Sequence, residues 1–205
     1  MKSKGDLERE VRALNEAIIA GDVDTVTSLL NEGSSIRGLG FGYSSPLYVA
    51  ISHGKTQMID LLLASGLDVN APLDLGGAVA LPEGRRPLFW AADTGQLEAV
   101  CTLLLHGAMI DAVDNYGLSA LYAAALSIAN DSLNVKDKAN WLRFQNQKPT
   151  GKVAVIEELM LAGADVNLCP KKGWYSPAHF IRRAGIDRLT RMLAGRETKP
   201  KGWFW

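Results

Sequence analysis

The chain has 205 residues, 47% of them hydrophobic and 21% charged, with 22 basic side chains balancing 22 acidic ones. That balance removes any global electrostatic case for nucleic acid or an anionic membrane surface, and no apolar run approaches the roughly 20 residues of a membrane-spanning helix. Cys101 and Cys169 form neither a CxxC motif nor a Cys/His cluster, so they read as free thiols in a reducing, cytoplasmic setting.

The N-terminal residues Met1 to Glu10 carry cations with no apolar stretch behind them, which argues against a secretory signal; a protein exported without such a signal would look the same. Leu7, Val11, Leu14 and Ile18 are spaced to form one apolar stripe on a helix. Gly21 suits the end of that helix, and Asp22 is placed to accept hydrogen bonds from the free N–H groups of the next one, which carries Val23, Val26, Leu29 and Leu30. This pair, residues 7–32, is polar enough outside to be an N-terminal cap.

A pattern then recurs. Ser45-Pro-Leu-Tyr-Val-Ala50 precedes Met58-Ile-Asp-Leu-Leu-Leu63, and Arg86-Pro-Leu-Phe-Trp-Ala91 precedes Val100-Cys-Thr-Leu-Leu-Leu105. Both units, 45–65 and 86–106, place Pro in the first turn of the first helix and Gly at its end (Pro46/Gly54, Pro87/Gly95). Small residues in mid-helix, Val49-Ala50 and Ala91-Ala92, allow close approach by a neighbour. A fourth unit, 119–162, starts with Ser119-Ala-Leu-Tyr122 and resumes at Val153, with an insertion over 128–152. The fifth, 176–195, has Ser176-Pro-Ala-His179 and Gly185, and its Arg188 and Arg191 suit a C-terminal cap. A second insertion, around 71–85, is rich in Pro and Gly and is expected to be an enlarged loop. Counting between equivalent apolar positions (Leu29, Leu62, Leu103, Leu159, Met192) gives steps of 33, 41, 56 and 33 residues, a unit of 33 with two insertions.

These motifs resemble the ankyrin repeat, whose signature Thr-Pro-Leu-His-x-Ala-Ala is matched at Ser45, Arg86, Ser119 and Ser176. Val69-Asn70 and Val166-Asn167, with Ile36-Arg37 and Ile110-Asp111 as weaker versions, match the residues after the second helix. The resemblance implies an all-α solenoid of about five helix-turn-helix units with capping terminal repeats and two insertions, forming a single domain over 1–205. His179 alone keeps the signature histidine, which the family commonly uses in a hydroxyl-to-imidazole hydrogen bond.

The resemblance also implies a surface for partners, made of turn tips and first-helix ends on a concave face. Mapped onto this sequence, the candidate contact residues are Phe41, Tyr43, Ser52, His53, Arg85, Asp93, Asn115, Tyr116, Leu118, Lys172, Trp174 and Tyr175. Aromatic and arginine side chains most often anchor interfaces, which ranks Tyr116, Trp174, Tyr175, Arg85 and Phe41 first. The outer faces of second helices, Glu157 for example, are expected to matter little. Trp141, Leu142 and Phe144 in the insertion must pack on the repeats or be covered by a partner. The tail over 199–205, ending Trp203-Phe204-Trp205, poses the same choice between sealing the last helix pair and docking.

No nucleophile elbow, phosphate loop or dinucleotide fingerprint is present, and His53, His106 and His179 fall in different units without metal-site spacing. No catalytic residue, metal or cofactor is assigned. The expectation is a non-enzymatic, monomeric protein-binding module that masks one specific protein partner, such as an immunity protein neutralising a cognate toxin. An effector delivered into another cell is the alternative, and an enzyme or nucleic-acid binder using the basic end (Lys171, Lys172, Arg182, Arg183, Arg188, Arg191) ranks below both.

Overall fold

The computed structural model describes residues 4–31, 45–72, 84–134, 151–171 and 173–197. Among them are ten helices and no extended strand: α1 (Lys4–Ala20), α2 (Val23–Asn31), α3 (Pro46–Ser52), α4 (Thr56–Ala64), α5 (Pro87–Thr94), α6 (Leu97–Leu105), α7 (Ala120–Asn134), α8 (Lys152–Leu161), α9 (Pro177–Ala184) and α10 (Asp187–Glu197). Phe41, Tyr43, Lys172, the insertion residues Trp141, Leu142 and Phe144, and the aromatic tail lie outside the described residues.

The helices pack as pairs, each odd-numbered helix against the even-numbered one that follows. Each odd helix also touches the next odd helix, and each even helix the next even one. The result is two helical layers in which the main packing among the described residues joins each pair to its neighbours in sequence, the quasi-one-dimensional packing of a solenoid. Such a pair cannot bury its apolar face alone. Leu62, Leu103 and Leu159, at one register position of three successive second helices, are fully buried, each contributing roughly 1.5–3 kcal/mol by removal from water. Leu29 and Met192, at the same position in the first and last described pairs, are only partly buried, each pair having a described neighbour on one side only. Ala50, Ala91, Ala92, Ala124 and Ala125 are fully buried, and their small side chains let adjacent first helices approach closely.

Local chemistry sets the helix ends. Asp22 accepts from the Thr25 amide (3.0 Å) and the Thr25 hydroxyl (2.7 Å), and the hydroxyl bond is the larger cause of its lowered pKa. Ser45 Oγ accepts from the Tyr48 amide and Ser119 Oγ from the Tyr122 amide. Gly95 and Gly185 terminate α5 and α9, both with φ of +74°, a left-handed conformation that favours glycine.

The fourth unit departs from the expected layout at this point. Eight residues after Ala120, where α5 and α9 have glycine after their leading prolines, stands Ile128. A β-branched residue is strongly disfavoured in the left-handed conformation, so α7 runs on to Asn134 instead of stopping. Residues 128–134, expected within the insertion, are therefore helix, and Ile128, Ala129 and Ser132 are buried. The chain returns at Gly151, where Lys152 reaches back to α7, bonding the Ser127 hydroxyl and lying 3.7 Å from the Asp131 carboxylate.

Glu157 corrects a second expectation. It is buried rather than on an outer face, its Oε1 lying 2.5 Å from Arg188 Nε on α10. Burial raises its pKa, and the Arg188 cation opposes that rise. The apolar neighbours Val153, Val155 and Ile156 gave α8 no clear polar face, so its periodicity could not orient Glu157.

Candidate functional site

The turn tips are built by side chains that satisfy backbone groups and leave aromatic rings outside. In the turn leading to α7, the buried Asp114 carboxylate accepts from the amides of Tyr116 and Leu118, both at 2.9 Å, while the Gly117 amide donates to the Asp114 carbonyl at 2.9 Å. An isolated bridge between Val113 and Ser119 closes the hairpin. Held this way, Asn115 and Tyr116 are exposed and Leu118 is half-buried.

Arg85 lies beneath that tip. Its Nε is 3.4 Å from Asp114 Oδ2, and its guanidinium stands 4.4 Å from the centroid of Phe89 and 5.6 Å from that of Trp90. With its side chain only 15% exposed, Arg85 braces one tip against the preceding first helix. The neighbouring Arg86 donates to the Val113 carbonyl at 3.1 Å. Arg85 stands among the candidate contact residues and Asp114 does not, although Asp-Asn-x-Gly at a turn signals a side chain that bonds nearby amides.

The tip before α9 is shaped differently. The Trp174 amide donates to the Lys171 carbonyl at 3.0 Å, and Trp174 and Tyr175 remain 50% and 59% exposed. The Tyr175 ring stacks on His179 at 3.9 Å, and both meet the edge of Phe180. Ser176 makes no side-chain cap to α9, and His179 engages an aromatic ring where the family commonly uses a hydroxyl. Phe180 in turn meets Tyr122 edge-on at 5.4 Å, joining this tip to α7.

Successive tips are also stitched by polar bonds. Asn70 accepts from the Met109 amide (2.8 Å) and donates to the Gly107 carbonyl (3.2 Å), and Asp111 accepts from the Asp165 amide at 2.8 Å. These are the positions singled out by the recurring Val-Asn and its variant Ile-Asp. At the first-helix ends, Ser52 and His53 are exposed and Asp93 is half-buried, with His53 Nδ1–H donating to the Val49 carbonyl at 2.9 Å. His106 is exposed and bonds Asp60 on α4 at 2.9 Å.

The candidate residues thus fall into two groups. Ser52, His53, Asn115, Tyr116, Trp174 and Tyr175 are exposed, and Arg85, Asp93 and Leu118 are partly covered by their own array. Among the described residues, no three His, Cys, Asp or Glu side chains are grouped to hold a metal ion, and no helix is long and apolar enough to cross a membrane. Both cysteines are free thiols; burial, then Glu158 and Glu98, raise the pKa of Cys101.

The ankyrin repeat family model matches residues 43–72 and 83–115, spans that contain α3–α4 and α5–α6 with the turns that follow them. The mouse (Mus musculus) B-cell lymphoma 3 protein homolog is 33% identical over 115 residues, a stretch covering 56% of this chain but only 22% of that protein. The chain therefore spans about a fifth of that relative's length. The chain thus carries ankyrin repeats over these two spans, within an all-α fold whose described helices pack pair on pair in two layers.

Proposed function

We propose that this chain is a non-enzymatic binding module that masks one protein partner, using the turn tips and first-helix ends as its contact surface. The observation that carries this reading is the exposure of Tyr116, Trp174 and Tyr175 at consecutive tips, 49%, 50% and 59% respectively. Rings left in water on a rigid frame favour association, because little conformational freedom remains to be lost when a partner covers them. The remaining candidates, from Ser52 and His53 to Asn115, supply a polar surround to those anchors.

The masking role is that of an immunity protein bound to its toxin, acting from the cytoplasm as a monomer until the partner arrives. It rests on analogy with what repeat modules of this family do and on the frame described above. Purification of the tagged chain from its native cell, with mass spectrometry of what co-elutes, tests it. One stoichiometric protein whose activity falls in the complex supports the reading. A partner that is a nucleic acid, or no stable complex at all, contradicts it.

A further inference from the structure

The C-terminal end of the array differs from its middle in charge. On α9, His179, Arg182 and Arg183 are three and four residues apart and so share one helix face; both arginines are exposed. Tyr175 extends that face through its stack on His179, with the two rings 14° from parallel. The turn that Trp174 and Lys171 close places an exposed cation and an exposed indole beside it. None of these six side chains is acidic. Arg183 lies six residues after Pro177, and the matching positions after Pro46, Pro87 and Ala120 are Ser52, Asp93 and Leu126. The exposed end of α7 adds Asp131.

Among the described tip and first-helix-end residues, exposed lysine and arginine therefore gather at the last unit, beside two exposed aromatic rings, while Asp93 and Asp131 stand on α5 and α7. We propose that this end of the surface binds an acidic peptide segment of the protein partner, with carboxylates on Lys171 and Arg183 and an apolar side chain against Trp174 and Tyr175. The inference deepens the protein-binding reading and rests on it. Arginine matches a carboxylate through paired N–H donors, and the aromatic rings supply contact area at small entropic cost. A nucleic acid strand suits the site less well, since phosphate binding gains from a run of cations tracking the backbone, whereas Asp93 and Asp131 on the neighbouring first helices confine any anionic ligand to the short basic end.

The test is selection of a random phage-displayed dodecapeptide library on the full chain, followed by affinity measurement with synthetic copies of the enriched peptides. The expected result is enrichment of Asp- and Glu-rich peptides carrying an apolar or aromatic residue. Their binding should weaken with added salt and fall about tenfold or more in the double variant Lys171→Gln/Arg183→Gln, through loss of two charge-assisted contacts. Circular dichroism should be unchanged, since both residues are exposed. Acidic peptides that bind the double variant as tightly as the parent overturn the inference, as does tighter binding of a single-stranded oligonucleotide than of any peptide. Enriched neutral peptides whose binding is lost in Tyr116→Ala overturn it while leaving the protein-binding reading intact. Enrichment of nothing overturns the inference and counts against both.

Discussion

Gly95 and Gly185 occupy one register position, have the same φ of +74°, and differ in what surrounds them. A Cβ built on Gly95 would meet the Lys152 backbone nitrogen at 2.9 Å, Lys152 Cγ at 3.0 Å and the Gly151 carbonyl carbon at 3.2 Å, whereas one on Gly185 meets nothing within 4 Å. Alanine at Gly185 thus incurs only the left-handed backbone penalty, about 1–2 kcal/mol. Alanine at Gly95 adds overpacking of about 1–3 kcal/mol, for a total of about 2–5 kcal/mol. Relaxation is restricted at Gly95 because two of the three atoms are backbone at the entry to α8, which cannot swing aside as a side chain does. Urea denaturation followed by circular dichroism measures both variants against the parent. A larger loss for Gly95→Ala is expected; equal losses, or a larger one for Gly185→Ala, would refute the close seating of α8 on α5.

Leu62→Ala and Leu103→Ala should each destabilise by roughly 2–5 kcal/mol through cavity formation, and exposed Ser52→Ala by about half a kcal/mol or less, read as shifts in the same denaturation midpoint. Asn70→Ala removes bonds to two backbone groups of the next tip and should cost about 1–2 kcal/mol, measured by thermal unfolding. Glu157→Lys should cost about 2–4 kcal/mol, the half-exposed Arg188 keeping it toward the low end of buried-pair values. Because the folded pKa of Glu157 is raised, its contribution to stability is fully present below the unfolded carboxylate pKa and is lost as pH rises through the folded one. Stability of the parent relative to Glu157→Gln should therefore fall as pH rises across the weakly acidic range, and a rise would contradict the burial.

Much of this fold was legible because the repeat restates its own rules. Pro in the first turn and Gly eight residues on bracket α3, α5 and α9, and the apolar register that selected Leu62, Leu103 and Leu159 places them in the core. The recurring Val-Asn and Ile-Asp positions marked Asn70 and Asp111, which join successive tips. The overrun of α7 carried a readable sign, Ile128 where its counterparts have glycine, but the loss of period downstream disguised it as the start of a loop. Glu157 was expected on an outer face because composition favours solvent for charge, while its partner Arg188 lies in another unit; Arg85 likewise finds its partner, Asp114, in the next unit. Residue type alone does not reveal a pairing made between units. The exposure of Tyr116, Trp174 and Tyr175 was likewise undecidable from the sequence, since an aromatic in a turn packs inward as readily as outward until Asp114 and the turn over 171–174 set its direction.

Whether the tips or the back of the array hold the partner is decided by the calorimetric affinity of the purified native partner for three single variants. Tyr116→Ala and Trp174→Ala remove exposed rings from the tips, and Leu105→Ala removes an 87% exposed side chain from the end of a second helix. At least one tip variant should lose about 2 kcal/mol, a factor of roughly 30 in affinity, with Leu105→Ala unchanged. Full affinity in both tip variants together with a loss in Leu105→Ala would contradict the account.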